Sequence, residues 1–125
     1  MKIDGNMHQV RQKGEKMSLI EVGKTNQVPP GVMKLFQVEG KKILVVNVEG
    51  KIYAINGVCT HLGGDLSKGK LEGKIITCPR HGSRFDVTTG ESVSGPKMAF
   101  LKLKTKNETI YEVKIEGESI KIDML

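Results

Sequence analysis

Two short stretches of the sequence concentrate the residue types that bind metals. The chain has two cysteines and three histidines, and both cysteines and two of the histidines fall between positions 59 and 81. They form a Cys-x-His pair, Cys59 and His61, and a Cys-x-x-His pair, Cys78 and His81, with sixteen residues between the pairs. Each pair lets one short turn offer a thiolate and an imidazole to the same point in space. The spacing therefore predicts one inorganic centre bound between two loops.

Ligand chemistry admits more than one kind of centre. Thiolates suit both zinc and iron–sulfur clusters, and two cysteines with two histidines are a legitimate set for either. In a binuclear iron–sulfur cluster, two histidines can replace two cysteines on one iron. A structural zinc site usually organises a very small fold, whereas this chain has enough strand segments for a core of its own. A nucleophilic Cys/His enzyme would use one pair and leave the other unexplained.

The residues around the four candidate ligands resemble the two cluster-binding loops of Rieske proteins. The first loop reads CTHLGG from Cys59, and the second reads CPRHGSRFD from Cys78. The sequence TGE at 89–91 and the dipeptide GP at 95–96 also fit that family. The resemblance extends from about Met17 to the C-terminus. It implies an iron–sulfur protein, not a zinc protein.

The resemblance implies a role for each residue of the two pairs. Cys59 and Cys78 would bind one iron of a [2Fe-2S] cluster, with one cluster per chain. His61 and His81 would bind the other iron through Nδ1. Glycines in the loops would let backbone N–H groups approach the cluster sulfurs, a serine hydroxyl would donate to a bridging sulfide, and a rigid loop would shield one side. The positions that would surround the cluster in this way are Gly63, Gly64, Gly82, Ser83, Phe85 and Pro96.

Three positions depart from the high-potential members of the family. Phe85 stands where those members carry a tyrosine whose hydroxyl reaches a cysteine sulfur. Gly64 and Arg80 stand where subunits of cytochrome bc complexes carry an extra cysteine pair, joined as a disulfide. Fewer hydrogen bonds to sulfur stabilise the reduced cluster less. We therefore expect a reduction potential toward the low end of the Rieske range of about −150 to +300 mV, as in ferredoxins.

The strand pattern predicts an all-β fold. No segment has a sustained helical periodicity, and 15 glycines separate short runs rich in Val and Ile. The resemblance implies stacked antiparallel sheets in a sandwich, with a small cluster-binding subdomain formed by two loops at about 58–96. We expect residues 17–125 to form this single domain and the polar residues 1–16 to be a flexible extension. The predicted strands are 18–22, 32–39, 43–48, 51–56, 74–77, 84–87, 101–104, 110–115 and 119–123.

Length, charge and composition narrow the function. A chain of 125 residues suggests one domain. The chain is too short to add the catalytic iron domain of Rieske oxygenases, so we do not expect an enzyme. The net charge of +6 fits a lysine-rich surface or steering toward an acidic redox partner. Nucleic-acid binding is not expected from two Tyr and three Phe without basic interleaving. No apolar run approaches the ~18 residues of a membrane span.

The sequence thus predicts a one-electron carrier, a Rieske-type ferredoxin that passes electrons from a reductase to an oxygenase or another acceptor. Its partners would dock over His61 and His81. With both cysteines used as ligands, none remains for a disulfide, which suits the reducing cytoplasm. The alternatives are a relay subunit of a nitrite-reductase-type complex, a relative of quinol-oxidising subunits and, remotely, a structural zinc domain.

Overall fold

The chain folds into three antiparallel sheets, as seen in a computed structural model that describes residues 18–60, 63–80, 82–94 and 106–124. Within these ranges every sheet pairing is antiparallel, and the only helices are short 3-10 turns at Thr25–Gln27 and Leu66–Lys68. The predicted all-β antiparallel fold is confirmed. The strands are β1 Leu19–Lys24, β2 Met33–Val38, β3 Lys41–Val48, β4 Lys51–Asn56, β5 Lys70–Glu72, β6 Ile75–Thr77, β7 Arg84–Asp86, β8 Ser92–Ser94, β9 Ile110–Tyr111, β10 Val113–Glu116 and β11 Ser119–Asp123.

Strand β3 separates two apolar cores. It lies inside the sheet β2-β3-β4-β9, and its central residues are apolar without interruption. Leu44 and Val46 face one core, while Ile43 and Val45 face the other, and all four are 0% exposed. A strand covered on both faces needs such a continuous apolar run, because successive side chains point to opposite faces.

Two tight hairpin turns set the register of this sheet. Glu39-Gly40 joins β2 to β3, and Glu49-Gly50 joins β3 to β4. All four residues have positive φ, at 51°, 80°, 54° and 95° in chain order. Two consecutive positive φ values match the twist of a two-residue hairpin, and glycine adopts the second at no steric cost. The Glu-Gly dipeptides at 39–40 and 49–50 are a local sequence signal for both turns.

The other two sheets cover the two faces of β3. The sheet β1-β11-β10 brings Ile120 and Ile122, both fully buried, into the core with Ile43 and Val45. The sheet β5-β6-β7-β8 brings Ile76 and Phe85 into the core with Leu44 and Val46. This second sheet carries the predicted second ligand loop between β6 and β7.

The structure corrects several predicted segments. The expected strand 110–115 is two strands, because the chain leaves β4 after Tyr111 and pairs with β11 from Val113 onward. The turn-like residues of β5 and β8 form strands that the sequence did not indicate. The local sequence pattern does not reveal the division of 110–115 or the strands β5 and β8, because alternation of apolar and polar residues does not say which sheet a strand joins. The predicted strand 101–104 and the extension 1–16 lie outside the described residues.

Asn47 provides a test of how the hairpin is anchored. Its side chain is 6% exposed, its Nδ2 donates to the Val28 carbonyl at 2.8 Å, and its Oδ1 accepts from the Gly50 N–H at 2.7 Å. Replacing Asn47 with Ala leaves a carbonyl and an N–H without these partners. We expect Asn47→Ala to lower the free energy of unfolding by roughly 2–3 kcal/mol in urea denaturation. The exposed Lys41→Ala on the same strand is the control, and equal losses in both variants would contradict this reading.

Candidate metal centre

The structure buries both cysteines in one apolar core. Cys59 and Cys78 are each 2% exposed and share the core cluster that contains Leu44 and Phe85. The two sulfurs are not joined in a disulfide. Cys78 follows β6 directly, so the second loop is the turn of the β6–β7 hairpin. The topology therefore delivers both predicted sulfur ligands to the same side of β3.

The first loop is closed at its base by backbone contacts. The Gly57 N–H donates to the Lys42 carbonyl at 2.9 Å, and the Leu66 N–H donates to the Gly57 carbonyl at 3.0 Å. A Cβ at Gly57 would lie 2.5 Å from Leu35 Cδ1 and 3.2 Å from the Lys42 carbonyl oxygen. The close approach to β3 thus requires glycine at this position. It holds the start of the loop against the central sheet.

The two loops share one backbone hydrogen-bond pattern. In each, the cysteine N–H donates to the carbonyl five residues later, and the cysteine carbonyl accepts from the N–H four residues later. The two cysteines are therefore presented by equivalent loops, although the sequences differ between the shared positions. The bonds are Cys59 N–H to the Gly64 carbonyl at 2.7 Å, Gly63 N–H to the Cys59 carbonyl at 3.1 Å, Cys78 N–H to the Ser83 carbonyl at 2.7 Å and Gly82 N–H to the Cys78 carbonyl at 3.1 Å.

A glycine closes each loop in a left-handed conformation. Gly63 has φ +71° and Gly82 has φ +80°, a region that L side chains rarely adopt. Their N–H groups donate to the cysteine carbonyl of the same loop. The expectation that these N–H groups also approach cluster sulfurs stays a prediction.

Gly64 is where the two loops touch. A Cβ at this position would lie 2.7 Å from Cys78 Sγ and 3.0 Å from Arg80 Cδ. The first loop can approach the second thiol only because this side chain is absent. Gly64 and Arg80 are also the positions where the resemblance places the extra cysteine pair of the cytochrome subunits. The structure makes these two positions neighbours.

The remaining predicted site residues divide into buried and undescribed ones. Ser83 and Phe85 are both 0% exposed, and Phe85 packs in the core that holds the cysteines. Its ring offers no hydroxyl to a cysteine sulfur. His61, His81 and Pro96 lie outside the described residues, so the nitrogen ligands stay a prediction.

The described residues fit a Rieske-type cluster. Two buried thiols in equivalent loops supply the sulfur half of the ligand set, and a glycine keeps side-chain atoms away from Cys78 Sγ. Buried thiolates are costly unless a metal or a hydrogen bond compensates them.

A buried carboxylate beside the first loop was missed by the sequence reasoning. Glu108 is 4% exposed, and its Oε2 accepts the Thr60 N–H at 2.7 Å. The Thr60 hydroxyl donates to the Lys106 carbonyl at 2.6 Å. Thr60 is the residue between Cys59 and His61, so the segment 106–108 holds the first loop from outside it. No local signal could reveal this, because Glu108 lies in a polar stretch that reads as a turn.

The environment of Glu108 disfavours its ionised form. Burial raises the pKa of this carboxyl to about 7, although the hydrogen bond from the Thr60 N–H acts in the opposite direction. Its Oε1 is buried and has no hydrogen-bond partner among the described residues. On the neighbouring β9, burial raises the pKa of Tyr111, and the charge of Glu108 raises it further.

Asp86 is a buried carboxylate in the same region whose charge is compensated by hydrogen bonds and a lysine. It is 7% exposed, and its Oδ1 accepts from the Thr88 N–H at 2.9 Å and the Thr88 hydroxyl at 2.6 Å. Lys74 Nζ lies 3.3 Å from its Oδ2. Burial alone would raise the pKa of Asp86, but these bonds from Thr88 and Lys74 together lower it.

Comparison with known proteins identifies the family. The family model of the Rieske [2Fe-2S] domain matches residues 18–119. The chain belongs to the Rieske [2Fe-2S] domain family. This confirms the resemblance that the ligand spacing and the flanking glycines indicated.

Three relatives illustrate the range of this family. The chain is 42% identical to the ferredoxin component of the naphthalene 1,2-dioxygenase system of Pseudomonas aeruginosa over 98 residues, which cover 78% of the chain and 88% of the relative. A solved complex of reduced oxygenase and oxidized ferredoxin in carbazole 1,9a-dioxygenase contains a chain with TM-score 0.74 and 28% identity, covering 86% of this chain and 94% of that one. The cytochrome b6-f complex iron-sulfur subunit of Chlorobaculum thiosulfatiphilum is 37% identical over 109 residues, which are 87% of this chain but only 55% of the relative.

Among residues 18–60, 63–80, 82–94 and 106–124, no helix has the length and apolar character needed to cross a membrane.

Gly64 tests the contact between the loops. In Gly64→Ala, the new Cβ would lie 2.7 Å from Cys78 Sγ, so the thiol must move. We expect the iron and acid-labile sulfide content per chain to fall by at least half after reconstitution. The control is Gly73→Ala, where φ is +64° but no atom lies within 4 Å of the added Cβ. Cluster content equal to wild type in Gly64→Ala would show that the loops do not need this close approach.

Glu108 should make stability depend on pH. Because the pKa is raised to about 7 in the folded protein, the folded state keeps a proton that the unfolded state loses above its ordinary value near 4.5. The contribution to stability therefore falls as pH rises from about 4.5 to 7, by up to about 3 kcal/mol. We expect the free energy of unfolding of Glu108→Gln, taken relative to that of wild type, to be higher at pH 8 than at pH 5. The measurement is urea unfolding of the holoprotein. A difference that is the same at both pH values would contradict the assignment.

Proposed function

We propose that this protein is a Rieske-type ferredoxin, a one-electron carrier between a reductase and an oxygenase or another acceptor. The observation that carries the proposal is the pair of equivalent loops that bury Cys59 and Cys78 in one core. The match of residues 18–119 to the Rieske [2Fe-2S] domain and the ferredoxin relatives support it.

The four residues of the two loops would hold one [2Fe-2S] cluster per chain. Cys59 and Cys78 would bind one iron, and His61 and His81 would bind the other. When bound, such a cluster takes up and releases single electrons. The buried position of the cysteines supports this division, because it places the sulfur end toward the core.

The role of the protein is to keep the ligands in place while the charge changes. Backbone hydrogen bonds of 2.7–3.1 Å fix each cysteine to a glycine or serine of its own loop. The apolar core around Phe85 and Leu44 excludes water from the thiols. Both features oppose rearrangement on electron transfer. This is electron carriage without bond-making, so we assign the chain no catalytic activity of its own.

The partners would dock at the histidine end, over His61 and His81. Arg80 on the second loop, Arg84 at the start of β7 and Lys106 beside the first loop are exposed, and the chain has a net charge of +6. Such a surface favours an acidic partner and raises the association rate. The ferredoxin relatives and the oxygenase–ferredoxin complex support an oxygenase as acceptor.

Cytoplasmic location follows if both cysteines are ligands and none forms a disulfide.

A quinol-oxidising role is the second candidate, since a cytochrome b6-f subunit is among the relatives. The chain spans about half of that relative, 55% of its length. Gly64 and Arg80 leave no cysteine pair between the loops, and Phe85 offers no hydroxyl. These residues favour a ferredoxin with a potential at the low end of the family range. A strongly positive midpoint potential at neutral pH would favour the quinol-oxidising candidate instead.

The absorption and EPR spectra of anaerobically purified protein test the proposal. We expect a red-brown protein with iron and acid-labile sulfide in equal amounts and an EPR signal that appears on reduction. His61→Ala and His81→Ala should each abolish that signal, because each removes a nitrogen ligand. The control is His8→Ala, which changes the third histidine of the chain. Colourless protein with one zinc per chain, or an unchanged spectrum in both ligand variants, would refute the assignment.

A further inference from the structure

Glu108 is a buried carboxylate that the proposed electron carriage does not explain. One oxygen accepts the Thr60 N–H at 2.7 Å, and the other is buried without a hydrogen-bond partner in the described part of the chain. No positive charge in that part contributes to its pKa. Asp86, by contrast, has Lys74 and two bonds from Thr88. A buried carboxylate that lacks a compensating charge among the described residues costs stability, which calls for a functional reason.

The segment that carries Glu108 is itself firmly held. The Glu108 N–H donates to the Gly90 carbonyl at 2.7 Å, and the Gly90 N–H donates to the Asp86 carbonyl at 2.7 Å. Gly90 has φ +80°, and a Cβ there would collide with the Glu108 carbonyl oxygen. Glycine at this position therefore allows the Glu108 backbone to lie against the turn after β7. The carboxylate is placed by backbone contacts, not by a flexible surface loop.

Two bonds from this segment fix the centre of the first loop. Glu108 accepts the Thr60 N–H, and the Lys106 carbonyl accepts the Thr60 hydroxyl at 2.6 Å. Thr60 is directly bonded to Cys59 on one side and His61 on the other. The carboxyl group of Glu108 is thus held one residue away from two candidate ligands.

We propose that Glu108 is a positioning residue that holds the first ligand loop and, through its negative charge, lowers the reduction potential of the centre. The inference rests on the proposed function. Reduction adds one negative charge, and the charge of an ionised carboxylate nearby makes that addition less favourable. Because Glu108 is buried, salt screens this repulsion less than it would screen a surface charge.

At pH 8.5 the Glu108 carboxyl is ionised, although burial raises its pKa to about 7. The described groups that face it are the Thr60 N–H of the first loop and Tyr111 of β9. Lys106 on its own segment is exposed. The negative charge is therefore present at the pH of the redox titration.

Glu108→Gln tests the charge separately from the shape. Glutamine keeps an oxygen that can accept the Thr60 N–H but removes the negative charge. We expect the equilibrium constant for reduction at pH 8.5 to rise roughly tenfold, which is about 59 mV for a one-electron couple. The measurement is a redox titration of the holoprotein followed by its EPR signal.

Glu112→Gln is the matched control, because Glu112 is an exposed acid on the strand connection just beyond Glu108. It removes the same charge from the surface, where solvent screens it, and should leave the potential close to wild type. Glu108→Leu is a second uncharged variant that fills the buried position without a polar atom. It should also raise the potential, and it serves as the test if the glutamine variant does not retain its cluster.

The outcomes separate this inference from the proposed function. A wild-type protein without iron and sulfide refutes the ferredoxin assignment. A second outcome is that wild-type protein gives a normal Rieske signal but has the same reduction potential at pH 8.5 as the cluster-containing Glu108 variant. That result overturns only the proposed role of Glu108. A shift of the same size in Glu112→Gln would also overturn it, because any surface acid would then act alike.

Discussion

The burial of two thiols in one apolar core is the constraint on which the rest of the structure depends. Cys59 and Cys78 come from opposite ends of a stretch of about twenty residues, yet both lie in the core on one face of β3. A thiolate is stable there only if a metal or hydrogen bonds compensate it. The fold presents both sulfurs in an equivalent way, through loops whose backbone hydrogen bonds give each cysteine the same local geometry.

The two faces of β3 pack against different sheets. Leu44 and Val46 pack against the sheet that carries the second ligand loop, while Ile43 and Val45 pack against β1 and β11. The second core contains neither cysteine, so it stabilises the scaffold away from the two candidate sulfur ligands. Glycine matters where backbones must meet closely, as at Gly64 against Cys78 Sγ.

Two buried carboxylates show how one fold can treat like groups differently. Asp86 is surrounded by donors and a lysine, and its pKa is lowered even though burial acts to raise it. Glu108 receives one N–H bond, and burial raises its pKa to about 7. The first carboxylate supports a turn. The second lies next to the first ligand loop, where it accepts the Thr60 N–H.

The sequence by itself predicted the ligand pairs and determined the all-β class and the central hairpins, because these depend on residue spacing, alternation and turn chemistry over a few positions. The cluster-binding subdomain at about 58–96 and the two histidine ligands stay predictions. Only the tertiary structure decided that 110–115 divides between two sheets, that Gly64 touches Cys78, and that Glu108 is buried against Thr60. Such contacts join residues dozens of positions apart, and no local pattern records which distant surfaces will meet.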